Sequence, residues 1–278
     1  MQNVLVRLSE YRKQASSTEK EIIKFILENP KETSTMTVYQ LAKKTYSSPA
    51  SVIRMCNKNG FKGYRDFIKS LIYELAKKTE NKQIYKDDIL KTDGIAEIVE
   101  KITYRNIFSL EDTKDIIDFN VLNKSVELIK NADNICLFGL GASLTVAKDA
   151  QQKFMRLNKN CTLSEDWHLQ LLTARNMSKK DIGLIISYSG RTKEMIECAV
   201  TMKNSGIGTI SITGYGNSPI VDLCDYNLYV AARESTFRSG AISSRISQLN
   251  IIDILYTAYA NINYEESLEL IQKTYIKK

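Results

Sequence analysis

Asp181-Ile-Gly-Leu-Ile-Ile-Ser-Tyr-Ser-Gly-Arg-Thr-Lys-Glu194 reads as a buried strand, a Ser/Gly/Thr turn and the start of a helix. Ile182 to Ile186 is a short apolar run of the kind that a parallel strand buried on both faces requires. Gly190 permits the tight turn that ends it, and a helix is expected from about Thr192. The hydroxyls of Ser187, Ser189 and Thr192 then fall at the free N–H groups of a helix start, where the helix dipole favours negative charge; such a spot suits a phosphate. The same residues also serve an ordinary strand-to-helix connection, in which Ser and Thr only cap the helix.

A second stretch of the same kind lies upstream. Asn134-Ile-Cys-Leu-Phe-Gly-Leu-Gly-Ala-Ser143 is a strand closing on glycines, with Ser143 in reach of a helix expected from about Leu144 toward Leu157. Two such loops can face one ligand. The G-x-G here lacks the third glycine of a dinucleotide fingerprint, which argues against NAD. Around these stretches strands and helices alternate from about residue 121 to residue 230, and a long apolar helix is expected over Ser243 to Ala260. Such alternation predicts a doubly wound, parallel five-stranded sheet with ligands at the carboxyl ends of its strands.

The charge is distributed unevenly. The net charge is +7, yet residues 1–78 hold 15 Lys/Arg against 7 Asp/Glu, while the other 200 residues hold 24 against 25. A basic small domain joined to a near-neutral larger one points to nucleic acid as one partner. The basic segment reads as helical throughout, with five helices. Val4 to Lys13 forms the first; Thr18 is the expected cap of the second, with Glu21 in the capping-box position and Pro30 as its stop. Thr37 caps Val38 to Lys44, and Ser48-Pro49 opens a further helix after the turn Thr45-Tyr-Ser47, a helix-turn-helix layout. In that last helix Ala50, Ile53 and Met55 or Cys56 are expected to face the core, and Ser51, Arg54 and Lys58 the opposite side. Pro49, Ser51 and Arg54 are the candidates for reading base edges, and Lys43, Lys44, Lys58, Lys62 and Arg65 for phosphate contacts, with Tyr46 and Ser48 at the turn.

The chain is long enough for two domains, and the expected division is a helix-turn-helix domain over 1–78, a helical linker over 79–118 and an α/β domain over 119–278. The linker reads as a helix pair whose Ile95, Ile98, Ile102 and Ile107 are too apolar for a disordered tether. Five cysteines without a C-x-x-C pair and a single histidine argue against disulfides and a multi-histidine metal site, and no cofactor or metal is expected. No run approaches the ~20 apolar residues of a spanning helix, and the first residues carry charge too early for a signal peptide, so a cytoplasmic protein is expected.

The G-x-G-x-S and S-x-S-G-x-T loops, with Glu234 and Phe237-Arg-Ser-Gly-Ala-Ile-Ser-Ser-Arg-Ile-Ser-Gln248 downstream, resemble the sugar isomerase (SIS) domain of RpiR-type transcriptional regulators. Glu19 to Pro30, Gln40 to Lys43 and Ser51 to Tyr64 are similar to the N-terminal domain of the same family. One departure stands out: where the family usually has Gly-Val in the turn, this chain has Tyr46-Ser47. The Asp166-x-His168-x-Gln170 segment also matches the family, and the resemblance implies that His168 and Gln170 hydrogen-bond sugar hydroxyls. It implies an effector site of Gly141, Ser143, His168, Gln170, Ser187, Ser189, Arg191, Thr192 and Glu234, with no catalytic residue. The expected partners are a double-stranded DNA operator, a phosphorylated sugar and further copies of the chain in a homodimer or larger oligomer. Two alternatives of other classes are a sugar-phosphate isomerase with an accessory helical domain and a non-catalytic modulator of another protein.

Overall fold

The computed structural model describes residues 4–77, 89–232 and 241–275, in two compact units. The first unit holds six helices among the described residues: α1 (Val4–Tyr11), α2 (Ser17–Glu28), α3 (Pro30–Ser34), α4 (Val38–Lys44), α5 (Pro49–Lys58) and α6 (Tyr64–Lys77). One more helix forms than the sequence reading allowed. Pro30, which has no N–H to give, both ends α2 and opens α3 as its first residue. The cap of α2 also lies two residues earlier than expected. Ser16, not Thr18, accepts the Glu19 N–H, and Glu19, not Glu21, reaches back to the Ser16 N–H at 3.0 Å. This register turns Ile22, Ile23 and Ile26 into a core with Leu41, Val52, Met55 and Phe67.

In α5 the buried set is Val52, Met55 and Cys56, spaced i, i+3, i+4, while Ala50 and Ile53 are exposed. The Ser48 cap is as expected, its Oγ accepting the Ser51 N–H at 3.1 Å, but packing of Val52, Met55 and Cys56 into the core of the unit leaves Ala50 and Ile53 on the outer side. Burial pushes the Cys56 thiol up to about 12, so it packs as a small apolar group.

The second unit contains most of α7 (Ile95–Ile116), then α8 (Phe119–Asn131), β1 (Asn134–Phe138), α9 (Ala142–Arg156), β2 (Asn160–Thr162), α10 (Trp167–Asn176), β3 (Asp181–Ile186), α11 (Lys193–Asn204), β4 (Gly208–Gly214), α12 (Pro219–Leu223), β5 (Tyr226–Val230), α13 (Ser243–Ile262) and α14 (Tyr264–Lys273). The five strands form one parallel sheet in the order β2-β1-β3-β4-β5, pairing Ile135 with Ile182 and Ile182 with Gly208. Period-two alternation sends Ile135, Leu137, Ile182, Leu184 and Ile186 to one face, under α8, α9 and α13. Cys136, Phe138 and Ile185 go to the other face, under α10, α11 and α12. Both faces are therefore dry, as a parallel sheet requires.

Within the expected linker, the described helix α7 extends six residues beyond the anticipated end at Leu110 and packs mainly with the sheet unit, while residues 78–88 of the expected pair lie outside the described residues. Of the isoleucines expected to order this segment, Ile95 is 83% exposed, Ile98 and Ile107 are exposed as well, and Ile102 is half-buried. Inward-facing polar residues, Ser109 and Thr113, anchor its second half instead.

Candidate functional site

Strand order reverses between β1 and β3, because β1 leads outward to β2 while β3 leads the other way to β4. Loops leaving the carboxyl ends of two such neighbours diverge and open a crevice. A cavity of about 190 Å³ lies there, lined by Leu140, Ala142 and Ser143 after β1, by Ser187, Tyr188, Ser189, Thr192 and Met195 after β3, and by Ala241, Ser244 and Gln248 at the start of α13.

The β3 loop is built to present hydroxyls. Gly190 adopts φ 61°, in the left-handed region, and donates its N–H to Ser187 O at 3.0 Å, which closes the turn. Ser187 Oγ and Thr192 Oγ1 come within 3.4 Å of each other, and Ser189 Oγ accepts the Arg191 N–H at 3.2 Å. Thr192 is the N-cap residue of α11 but makes no side-chain cap bond. The first-turn amides, at the positive end of the helix dipole, are thus left for an external acceptor. Arg191 is exposed beside the loop.

The β1 loop is built differently. Gly141 has φ 58° at the N-cap of α9, and Ser143 reaches the cavity. The loop backbone is held from below by Gln170: its Oε1 accepts the Gly139 N–H at 3.1 Å, and its Nε2 donates to Gly139 O at 3.0 Å and Ser164 O at 2.9 Å. Gln170 is buried with both of its amide protons and its Oε1 bonded to backbone, so it braces the loop. His168, with a side chain 71% exposed, stacks on Trp167 at 4.1 Å between ring centroids, with Asp166 3.9 Å from its Nδ1. It does not line the cavity. Asp166 caps α10 through the Leu169 N–H. Glu234 lies outside the described residues.

Gln248 is the residue that reading the loops missed. It is 1% exposed, lines the cavity, and its Nε2 has no hydrogen-bond partner among the described residues. A buried amide donor facing a cavity seeks an acceptor from a ligand or water. The signal was present in the sequence: Ser244 and Gln248 are polar residues at i, i+4 near the start of a helix rich in Ile and Leu.

On the helical unit, α4 and α5 form the helix-turn-helix pair. Thr37 and Gln40 complete a capping box at the head of α4, and Ser48 with Pro49 opens α5. Ser51 Oγ lies 2.9 Å from Ser48 Oγ and accepts from Arg54 Nη2 at 3.1 Å, so these three side chains form one hydrogen-bonded cluster at the exposed start of α5. Tyr46 takes the left-handed turn position with φ 49° and is 99% exposed. The turn keeps its left-handed residue without glycine, because Ser47 N–H bonds to Ala42 O at 2.9 Å and Thr45 Oγ1 lies 2.9 Å from Ser47 Oγ.

The cations differ in freedom. Lys43, Lys62 and Arg65 are exposed. Lys44 pairs with Glu32 at 3.2 Å, and Lys58 bonds to the buried Glu19 at 2.8 Å. Burial disfavours the Glu19 anion, but bonds from Lys58, Ser16 and Tyr11 outweigh it and hold its carboxyl at about 2. Lys58 is therefore tied to the unit's own fold more than the other cations.

The chain matches two known domain families. The helix-turn-helix domain of the rpiR family matches residues 2–78, and the SIS domain matches residues 128–258. An uncharacterized HTH-type transcriptional regulator of Caldanaerobacter subterraneus subsp. tengcongensis is 38% identical over 99% of this chain and 96% of its own. The uncharacterized HTH-type transcriptional regulator YbbH of Bacillus subtilis is 38% identical over 92% of this chain and 90% of its own. Among solved structures, the Vibrio vulnificus NanR protein complexed with ManNAc-6P is similar at 30% identity, with a TM-score of 0.61 over 98% of this chain and 96% of that one.

Proposed function

Because the chain belongs to the RpiR family of helix-turn-helix transcriptional regulators with a SIS domain, we propose that it binds operator DNA through α4 and α5 and that a phosphorylated sugar in the cavity controls that binding. The observation that carries this reading is the cavity itself. Ser187, Ser189 and Thr192 surround the uncapped start of α11, with Ser143 of the neighbouring loop on the same cavity. Hydroxyls and first-turn amides suit a phosphate, and Ser244 and Gln248 suit the hydroxyls of the sugar. The ManNAc-6P of the NanR complex supports this ligand class.

The sensing role is favoured over isomerisation by the helix-turn-helix domain and by the relatives named as transcriptional regulators. Moving a proton between adjacent sugar carbons would need a positioned base and acid. On the DNA side, Pro49, Ser51 and Arg54 would meet base edges, and Lys43, Lys62 and Arg65, with Lys44 and Lys58 in second place, the phosphates; Tyr46 and Ser48 flank them. We infer a homodimer, because a two-fold protein matches two half-sites about one helical turn apart. We propose 1–78 as the DNA-binding domain and 119–278 as the effector-binding domain, with the intervening segment 79–118 contributing α7 mainly to the sheet unit.

The test is a thermal-shift titration of the full chain with ManNAc-6P and a panel of other sugar phosphates, paired with gel-shift assays on the DNA upstream of its own coding sequence. A ligand at 100 times its dissociation constant should stabilise the fold by about 2.7 kcal/mol and change DNA affinity. Turnover of a sugar phosphate would favour the isomerase, and failure to bind any duplex would favour a modulator of another protein.

A further inference from the structure

We propose that a buried seam of hydroxyls joining α7, the end of β5 and α13 transmits the occupancy of the cavity to α7, a role that rests on the cavity being the effector site. Helix α13 opens with Ser243-Ser-Arg-Ile-Ser-Gln248, and Ser243, Ser244, Ser247 and Gln248 are all buried. They divide into two pairs at helical spacing. Ser244 and Gln248 line the cavity. Ser243 and Ser247, one position earlier, face α7: Ser243 Oγ donates to Asn106 Oδ1 at 3.1 Å, and Ser247 Oγ donates to Ala231 O at 2.8 Å with Ser109 O at 3.5 Å. Thr113 completes the seam, since its Oγ1 accepts the Ala231 N–H at 3.0 Å and directs its own proton to Ser109 O at 2.7 Å, with Ala231 O at 3.2 Å.

Asn106, Ser109 and Thr113 sit at i, i+3 and i+7, so they form one face of α7. Ser109, Thr113, Ser243 and Ser247 are each 0% exposed. An apolar contact between helices is non-directional and tolerates a slide, whereas a buried hydrogen bond does not, because a stranded donor or acceptor costs more than the bond gained. The seam therefore fixes the register of α13 on α7. On the cavity side, the unpartnered Nε2 of Gln248 gives a ligand acceptor a handle on α13. A ligand that engages it shifts α13, and the seam carries the shift into α7. That helix is the first described element after the DNA-reading unit in chain order, and the seam anchors only its second half.

The experiment uses the full chain and the sugar phosphate of the panel that binds best, beginning with ManNAc-6P. Three quantities are measured for the wild type, Ser247→Ala and the milder Ser243→Ala: ligand affinity by calorimetry, ligand-induced hydrogen-exchange protection over residues 106–116, and the ligand-induced change in affinity for the upstream DNA. Neither serine lines the cavity, so ligand affinity should stay within about threefold. The DNA response, of the order of 5-fold to 150-fold for such couplings, should collapse toward none in Ser247→Ala, and fall part-way in Ser243→Ala, together with the α7 protection. If Ser247→Ala does not fold, the graded loss in Ser243→Ala decides. Variants that melt earlier but keep the full α7 and DNA responses would reduce the seam to packing and overturn the proposal. A wild type that binds ligand without any change in α7 would overturn it while leaving the effector site standing, and a wild type that binds none of the panel would overturn both.

Discussion

The loops after β1 and β3 start from the same local design and end with different tasks. Each follows a central parallel strand, turns on a left-handed glycine and feeds a helix, with Gly141 at φ 58° and Gly190 at φ 61°. A Cβ on Gly141 would meet nothing within 4 Å, whereas one on Gly190 would collide with the Ser218 side chain. The β3 loop is packed beneath and presents hydroxyls above. The β1 loop is open above and clamped beneath by Gln170. Similar turns therefore acquire different roles from the elements that later cross beneath them.

The comparison can be broken by substitution, and the largest effect is expected at Gly190. Gly190→Ala adds the cost of a left-handed alanine to an overpacked contact, roughly 2–5 kcal/mol, against roughly 1–2 kcal/mol for Gly141→Ala. Denaturant melts of the two variants check this, and equal losses would mean that the loops are packed alike. Next comes Gln170→Leu, which strands the Gly139 N–H and two carbonyls; a loss of roughly 2–4 kcal/mol is expected, with sugar-phosphate affinity falling as a consequence of the loosened loop. If affinity fell with stability intact, Gln170 would be a ligand contact instead of a brace.

Ser187→Ala with Ser189→Ala should reverse that pattern. Loss of two bonds to a charged ligand should weaken sugar-phosphate binding at least about 100-fold while stability changes by less than about 1 kcal/mol and unliganded DNA binding is kept. Thermal melts, calorimetry and gel shifts on one preparation measure all three, and loss of DNA binding in a well-folded variant would count against the division of labour between the units. The smallest effect is expected for His168→Ala, a side chain that stacks on Trp167 in the open; calorimetry should find less than about a threefold change in affinity. A larger change would return His168 to the site, as the family resemblance implies.

Much of the molecule was legible from local rules. The apolar run Ile182 to Ile186 gave β3, and Thr37 and Ser48-Pro49 gave the starts of α4 and α5. Where two local readings competed, the sequence had no means of choosing. Ser16 with Glu19 and Thr18 with Glu21 are equally good capping boxes on paper, and the first prevails because it places Glu19 against Tyr11 and Lys58. The rotation of α5 was misread for the same reason, as Val52 and Ile53 are equally apolar and only the packed core separates them.

By itself, then, the sequence determined the alternation of strands and helices from about residue 121 to residue 230, the two glycine turns, the hydroxyls of the β3 loop and the concentration of positive charge in the first 78 residues. Each of these is set by hydrogen bonding, periodicity or composition within about a dozen residues. Only the tertiary structure decided that Gln170 braces the β1 loop, that Gln248 reaches the cavity with a free donor, that Ser243 bonds to Asn106 of α7, and that Ser247 bonds to Ala231 O with Ser109 O of α7 at 3.5 Å. Those contacts join segments from 16 to 138 residues apart, and an amide or hydroxyl acquires its role from whichever distant group the chain brings within hydrogen-bonding reach.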